Sequence, residues 1–192
     1  MSTAILITAE DFSRMSFEGP VELVCGEVVE MTRPGGVNGV VCFRCAAVLD
    51  RWLPASGSHL VVINDAGVIT GRDPDTVRGP DLFVVARDRL PGGRIPEGHF
   101  SIAPEVCVEV QSPHERWSDL IAKVAEYLSI GVREVWIIVP GQRRVHVYRA
   151  DTEPDVLSSE LELVSQALPA FHCPVAELFR GLEPASESAS AK

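Results

Sequence analysis

Asp81 and Glu109 are acidic residues in places where a strand is expected. Asp81 follows Gly79-Pro80 and opens the apolar run 82–86. Glu109 interrupts the stretch Pro104 to Gln111, which reads Pro-Glu-Val-Cys-Val-Glu-Val-Gln. Alternation along that stretch puts Val106, Val108 and Val110 on one face and Glu105, Cys107, Glu109 and Gln111 on the other. A carboxylate in mid-strand loses its hydration unless a cation, a proton or hydrogen-bond donors replace it. One divalent metal shared by both residues would do so. Lys123, the only lysine inside the chain, lies fourteen positions beyond Glu109. Two acidic ligands, a backbone carbonyl and several waters are the usual equipment for Mg²⁺, and a nearby ammonium can orient an attacking water or offset charge on a phosphoryl oxygen. The chemistry these residue types support together is hydrolysis of a phosphodiester.

The elements that would position them follow from the pattern around them. A helix is expected over 118–130, with Ser118 as its cap, Leu120, Ile121, Val124 and Leu128 on its buried face, and Gly131 past its end. Asp119, Lys123 and Tyr127, spaced i, i+4, i+8, share a neighbouring side. Upstream, a short helix is expected over 9–15, and strands over 21–24 and 27–31 that form either a hairpin at Cys25-Gly26 or one bulged strand. Apolar spacing from Val40 to Trp52 predicts a helix ending before Pro54. Strands are expected at 59–64, 67–70, 132–139, 144–149 and 161–165, and a short helix near 175–179. Residues 71–79 and 88–101, rich in turn formers, read as loops.

With 192 residues, 46% hydrophobic and 23% charged, the chain suits a single domain over 1–180, with 181–192 as a flexible tail. No apolar run approaches a membrane span, and the first residues lack a secretory signal, so no membrane partner and a cytoplasmic location are expected. Five cysteines, mostly in apolar runs, suit a reducing compartment. The net charge of −10 is concentrated in residues 151–192, with 2 basic against 8 acidic residues. That argues against tight nonspecific duplex binding by a lone monomer, because basic contacts to phosphate supply most such affinity.

The ordered set Val21-Glu22-Leu23 with Gly26-Glu27, Pro80-Asp81, Glu109-Val110 before Ser112-Pro113, then Asp119, Lys123, Tyr127, Gly131-Val132, Glu134 and Trp136, and finally Val147-Tyr148-Arg149, resembles the Uma-type restriction endonucleases of the PD-(D/E)XK nuclease superfamily. The likeness covers roughly residues 5–180 and extends through Leu168-Pro169-Ala170-Phe171 and Glu177-Leu178-Phe179. It implies an α/β, restriction-endonuclease-like core with a central mixed sheet flanked by helices. It further implies a DNA substrate, Mg²⁺ (or Mn²⁺) as cofactor, and Asp81 and Glu109 as metal ligands. The carbonyl of Val110 would be a third ligand, and Glu22 would join the metal shell directly or through water. Lys123 would be the catalytic lysine, relocated from the strand position that Gln111 holds here; Gln111 can orient water but carries no charge. Departures from the family pattern are Asn38 for histidine, Cys25 for an acidic residue and Val139 for aspartate. Paired cutting of two strands implies a homodimer, which could assemble a basic groove from Arg72, Arg78, Arg87, Arg89 and Arg94.

Each residue also has a plainer reading. Pro-Asp alone is a turn, a mid-strand glutamate can face solvent, and a helix lysine is usually solvated. Cys42-x-x-Cys45 lacks a partner pair for zinc and reads as packing. His114 reads as an exposed loop residue, and Trp136 and Tyr148 as packing residues. The alternative for the whole chain is a catalytically inactive binding or interaction module on the same fold.

Overall fold

The computed structural model describes residues 6–54 and 57–182. The tail expected at the C-terminus lies outside the described residues. Four helices and twelve strands follow one another as α1 (Ala9–Phe12), β1 (Val21–Val24), β2 (Glu27–Glu30), α2 (Gly36–Trp52), β3 (His59–Ile63), β4 (Val68–Gly71), β5 (Thr76–Arg78), β6 (Leu82–Ala86), β7 (Val106–Val110), α3 (Trp117–Ser129), β8 (Glu134–Val139), β9 (Arg144–Tyr148), β10 (Asp155–Leu157), β11 (Glu162–Val164), β12 (His172–Pro174) and α4 (Val175–Leu178).

The central sheet has six strands in the order β10-β9-β8-β7-β6-β3. It is mixed: β7 and β8 run parallel, joined through α3, and the other neighbours are antiparallel. Because both faces are covered, its inner strands β7 and β8 are buried along their whole length and largely apolar, with Glu109 and Glu134 as the charged exceptions. Leu82, Val84, Val106, Val108 and Val110 pack beneath α2 and α4. Phe83, Val85, Cys107, Val135 and Ile137 pack beneath α3, against Leu120, Val124 and Tyr127. Cys45 lies in the first of these cores with Cys42 packed against it, and Trp136 is fully buried there, so the packing reading holds for all three.

A second sheet, β2-β1-β5-β4, leans on α1 through a small core of Ala9, Phe12, Leu23 and Val77. Its first two strands form a hairpin, not a bulged strand: Cys25 (φ 51) and Gly26 (φ 78) both take the positive φ that a two-residue turn requires. Three differences from the sequence reading affect the site. The turn-rich segment 71–79 contains β5, which carries Arg78 into the second sheet. The helix α3 begins at Trp117 with Arg116 as its N-cap, while the Ser118 hydroxyl bonds to the Asp119 carboxylate and caps nothing. The 88–101 loop is anchored by the buried side chains of Leu90 and Phe100.

Candidate active site

The site is set by strand register. The antiparallel β6–β7 ladder ends at the Leu82–Val108 pair, and Asp81 and Glu109 are the residues just beyond it on the two segments. Leu82 and Val108 face α2, and alternation turns Glu109 the other way, toward α3, while the Asp81 carboxylate sits at the strand entrance beside Cys42 of α2. Glu109 is 3% exposed and holds two partners from successive turns of that helix. The Tyr127 hydroxyl donates to Oε1 at 2.7 Å, and the Lys123 ammonium lies 3.3 Å from Oε2. The same ammonium is 3.2 Å from Oε1 of Glu22, on β1. Glu22 also accepts from the Gly79 N–H at 3.1 Å and pairs through Oε2 with Arg78 at 2.8 Å. Arg78 continues to Glu126 with a two-pronged pair at 2.7 and 2.5 Å. From the neutral Tyr127 hydroxyl, a network therefore runs through Glu109, Lys123, Glu22 and Arg78 to Glu126, binding β1, β5, β7 and α3 together.

Asp81 accepts from the Val110 N–H at 2.6 Å. Burial raises its carboxyl to about 6; the Val110 N–H and Lys123 act in the opposite direction, while Asp65 and Glu115 push it further up. Burial likewise lifts Glu109 to about 8, with Lys123 and Tyr127 opposing and Asp81 and Glu22 reinforcing the rise. For Lys123, burial disfavours the charge, yet Glu109 and then Glu22 outweigh it, and the amine stays protonated. Four carboxylates, Asp81, Glu109, Glu22 and Glu126, thus stand against two cations, Lys123 and Arg78. The local excess is negative, and it falls on Asp81 and Glu109, the two carboxylates whose protonation is raised.

A family model described as "Uma2: Putative restriction endonuclease" matches residues 9–176, from the start of α1 into α4. This chain belongs to the Uma2 family. Among solved structures it is similar to "a putative nuclease belonging to DUF820 from Anabaena variabilis ATCC 29413", with a TM-score of 0.76 and 23% identity over 90% of this chain and 97% of that one. At that identity the likeness establishes a shared mixed α/β fold. No curated protein matches the chain.

Within this Uma2 chain the remaining residues singled out from the sequence separate clearly. Gln111 is half-buried, its N–H donates to Ile138 at 2.9 Å, and alternation puts it on the Glu109 face one pair further out. The Val110 carbonyl already accepts from the Asn38 amide at 2.9 Å, and Asn38 in turn accepts from the Cys42 thiol at 3.2 Å. Asn38, marked above as a family departure, therefore ties α2 to the strand that carries Glu109. Asp119 is exposed and stays out of the charge chain, although it shares the spacing of Lys123 and Tyr127. Cys25 sits in the hairpin turn.

The sequence does not single out Asp65. It lies in a left-handed turn (φ 53) between β3 and β4, where Asn-Asp-Ala-Gly reads simply as turn chemistry. A Cβ on Gly79 would come within 2.9 Å of the Asp65 carbonyl, so the glycine lets this turn close against the approach to Asp81. The useful signal was Gly79 itself, a glycine two residues ahead of a site carboxylate. Among the described residues, no three His, Cys, Asp or Glu side chains converge in a geometry that would hold a metal by themselves.

Proposed function

We propose that this chain is a metal-dependent endonuclease that hydrolyses DNA phosphodiester bonds. The observation that carries the reading is the placement of the half-buried Asp81 and the buried Glu109 side by side just past the end of the β6–β7 ladder, with the Lys123 ammonium touching Glu109. Membership of a family described as restriction endonucleases supports it.

The residues fit a hydrated Mg²⁺ or Mn²⁺ better than a metal held in an all-protein cage. Mg²⁺ keeps several waters and commonly takes only one or two carboxylates. Asp81 and Glu109 supply two, each raised above its ordinary range chiefly by burial. Such an ion, when bound, lowers the pKa of water and offsets charge on the phosphate. Glu109 is held for that role by Tyr127 and Lys123. Asp81 is oriented by the Val110 N–H, which donates to one of its oxygens at 2.6 Å. The Lys123 ammonium stands where it can stabilise negative charge developing on the phosphoryl group. Gln111, on the same face, can orient the attacking water. Glu22 sets Lys123 from the far side, with Arg78 balancing its charge.

Cleavage of plasmid and oligonucleotide DNA with Mg²⁺ or Mn²⁺ tests the proposal. The wild type should cut, and Asp81→Ala and Glu109→Ala should each lose at least a hundredfold, the loss typical of removing an electrostatic contributor, on the order of 10²–10³. Cutting that survives both substitutions refutes the assignment. A second reading, a binding module without turnover, draws on the Val110 carbonyl being taken by Asn38 and on Gln111 standing in the strand position of the lysine. It requires both an absence of cleavage and an absence of metal binding at millimolar Mn²⁺.

A further inference from the structure

The Glu109 face of the central sheet continues away from Asp81. Glu109 pairs with Ile137 on β8, and Ile137 pairs with His146 on β9. The row from Glu109 to His146 therefore crosses two strand spacings, about 10 Å. Val145 and Val147 point into the core beneath α2, so alternation turns Arg144 and His146 to the same side as Glu109. Val139 pairs with Arg144, and Gln111, one step beyond the Val110–Ile138 pair, falls beside Val139. The outer row thus runs from Gln111 to Arg144.

Trp117, the first residue of α3, lies over this end of the sheet, its ring 4.9 Å from His146 at an interplanar angle of 62°. Trp117 remains 38% exposed, whereas Trp136, a core packing residue, is fully buried. Arg116 precedes Trp117 and is exposed, as is Arg144. Among the described residues neither guanidinium forms an ion pair, in contrast to Arg72, Arg78, Arg89 and Arg149.

Building on the nuclease reading, we infer that Trp117 and His146, flanked by Arg116 and Arg144, form a shelf that holds an unpaired nucleotide of the nucleic-acid strand whose phosphate lies at Asp81 and Glu109. An aromatic ring stacks on base faces, which a duplex keeps covered and an unpaired strand offers freely. Stacking adds affinity without adding positive charge, which suits a chain of net charge −10. The two arginines supply the phosphate contacts that keep the strand in line with the site. The substrate class is single-stranded nucleic acid, or a duplex opened at the cleavage position.

Fluorescence titration of the full chain in EDTA, with a single-stranded oligonucleotide and with the duplex of the same sequence, tests the shelf without metal or turnover. Single strands should bind more tightly and quench tryptophan emission. Trp117→Ala should weaken that binding by roughly tenfold and remove most of the quench, since stacking on one base is of that order. Trp117→Phe should retain most of the affinity, which separates stacking from misfolding. Arg144→Gln should weaken binding and flatten its salt dependence. Unchanged affinity and quench in Trp117→Ala, preference for the duplex, or no binding to either would overturn the shelf. Binding without cleavage by the wild type would sink the catalytic reading and leave the shelf standing.

Discussion

Glu109 is a carboxylate whose proton is worth more in the folded chain than in the unfolded one. Its folded pKa is raised from 4.5 to about 8, chiefly by burial. Between those values the folded state holds a proton that the unfolded state has released. The stabilising contribution is fully present below about 4.5 and lost as pH rises through about 8. Urea denaturation of the metal-free chain should therefore show a fall in stability from pH 5 to 8 that Glu109→Gln flattens; parallel profiles for the two proteins would contradict the assignment. Tyr127→Phe removes the 2.7 Å donor to the same carboxylate. It should cost about 1–3 kcal/mol of stability by leaving a buried acceptor short of a partner, read in the same denaturation experiment. At this scale Asp81, Glu109 and Lys123 were legible in the sequence because each is an unusual residue for its setting. Asp65 was not, because a turn accommodates aspartate for ordinary reasons. The partner of Asn38 was hidden as well, since no spacing links a helix amide to the carbonyl of a strand seventy-two residues away.

Among the elements, β5 is the least visible in sequence and the most consequential for the site. Thr76–Arg78 is three residues long, lies among turn formers, and becomes a strand only by pairing with β1 and β4. The strands β10 and β12, also three residues each, escaped notice because so short a run shows no periodicity, even though each pairs with the strand just before it. By contrast β7, β8 and α3 carried periodicities long enough to be read directly. Arg78, half-hidden on β5 with its side chain 12% exposed, is the tie between the second sheet and α3. Replacing it with methionine strips Glu22 of its closest countercharge and should destabilise the chain by about 3 kcal/mol, within the range for breaking a buried pair. An unchanged midpoint of unfolding would show that the tie is idle. Gly79→Ala should also destabilise, by about 1–3 kcal/mol, since the added Cβ meets backbone that cannot swing aside.

For the whole molecule, charge decides what the chain can bind and how. The groove expected from five arginines is largely spent within the fold. Arg72 pairs with Glu10 and Asp75, Arg78 with Glu22 and Glu126, and Arg89 with Glu105. Of the five, Arg87 and Arg94 form no ion pair among the described residues. The proposed nucleotide shelf places nucleic-acid contact at the end of the sheet where Arg116 and Arg144 lie, two arginines that form no ion pair among the described residues. No helix among the described residues is long and apolar enough to cross a membrane. Cutting both strands of a duplex calls for two such sites, so light scattering is expected to return the mass of two chains; a single-chain mass would remove the dimer. The mixed sheet flanked by helices was legible through the family resemblance, while the use of the arginines was not, because ion pairs join residues that no local pattern brings together.

The account depends on Asp81 and Glu109 sharing one cation. Calorimetric titration of Mn²⁺ into the full chain at pH 8 addresses it directly. One ion per chain should bind the wild type, and the binding should disappear in Asp81→Ala and in Glu109→Ala alike. Binding that persists unchanged in either variant, or is absent from the wild type at millimolar Mn²⁺, would contradict it.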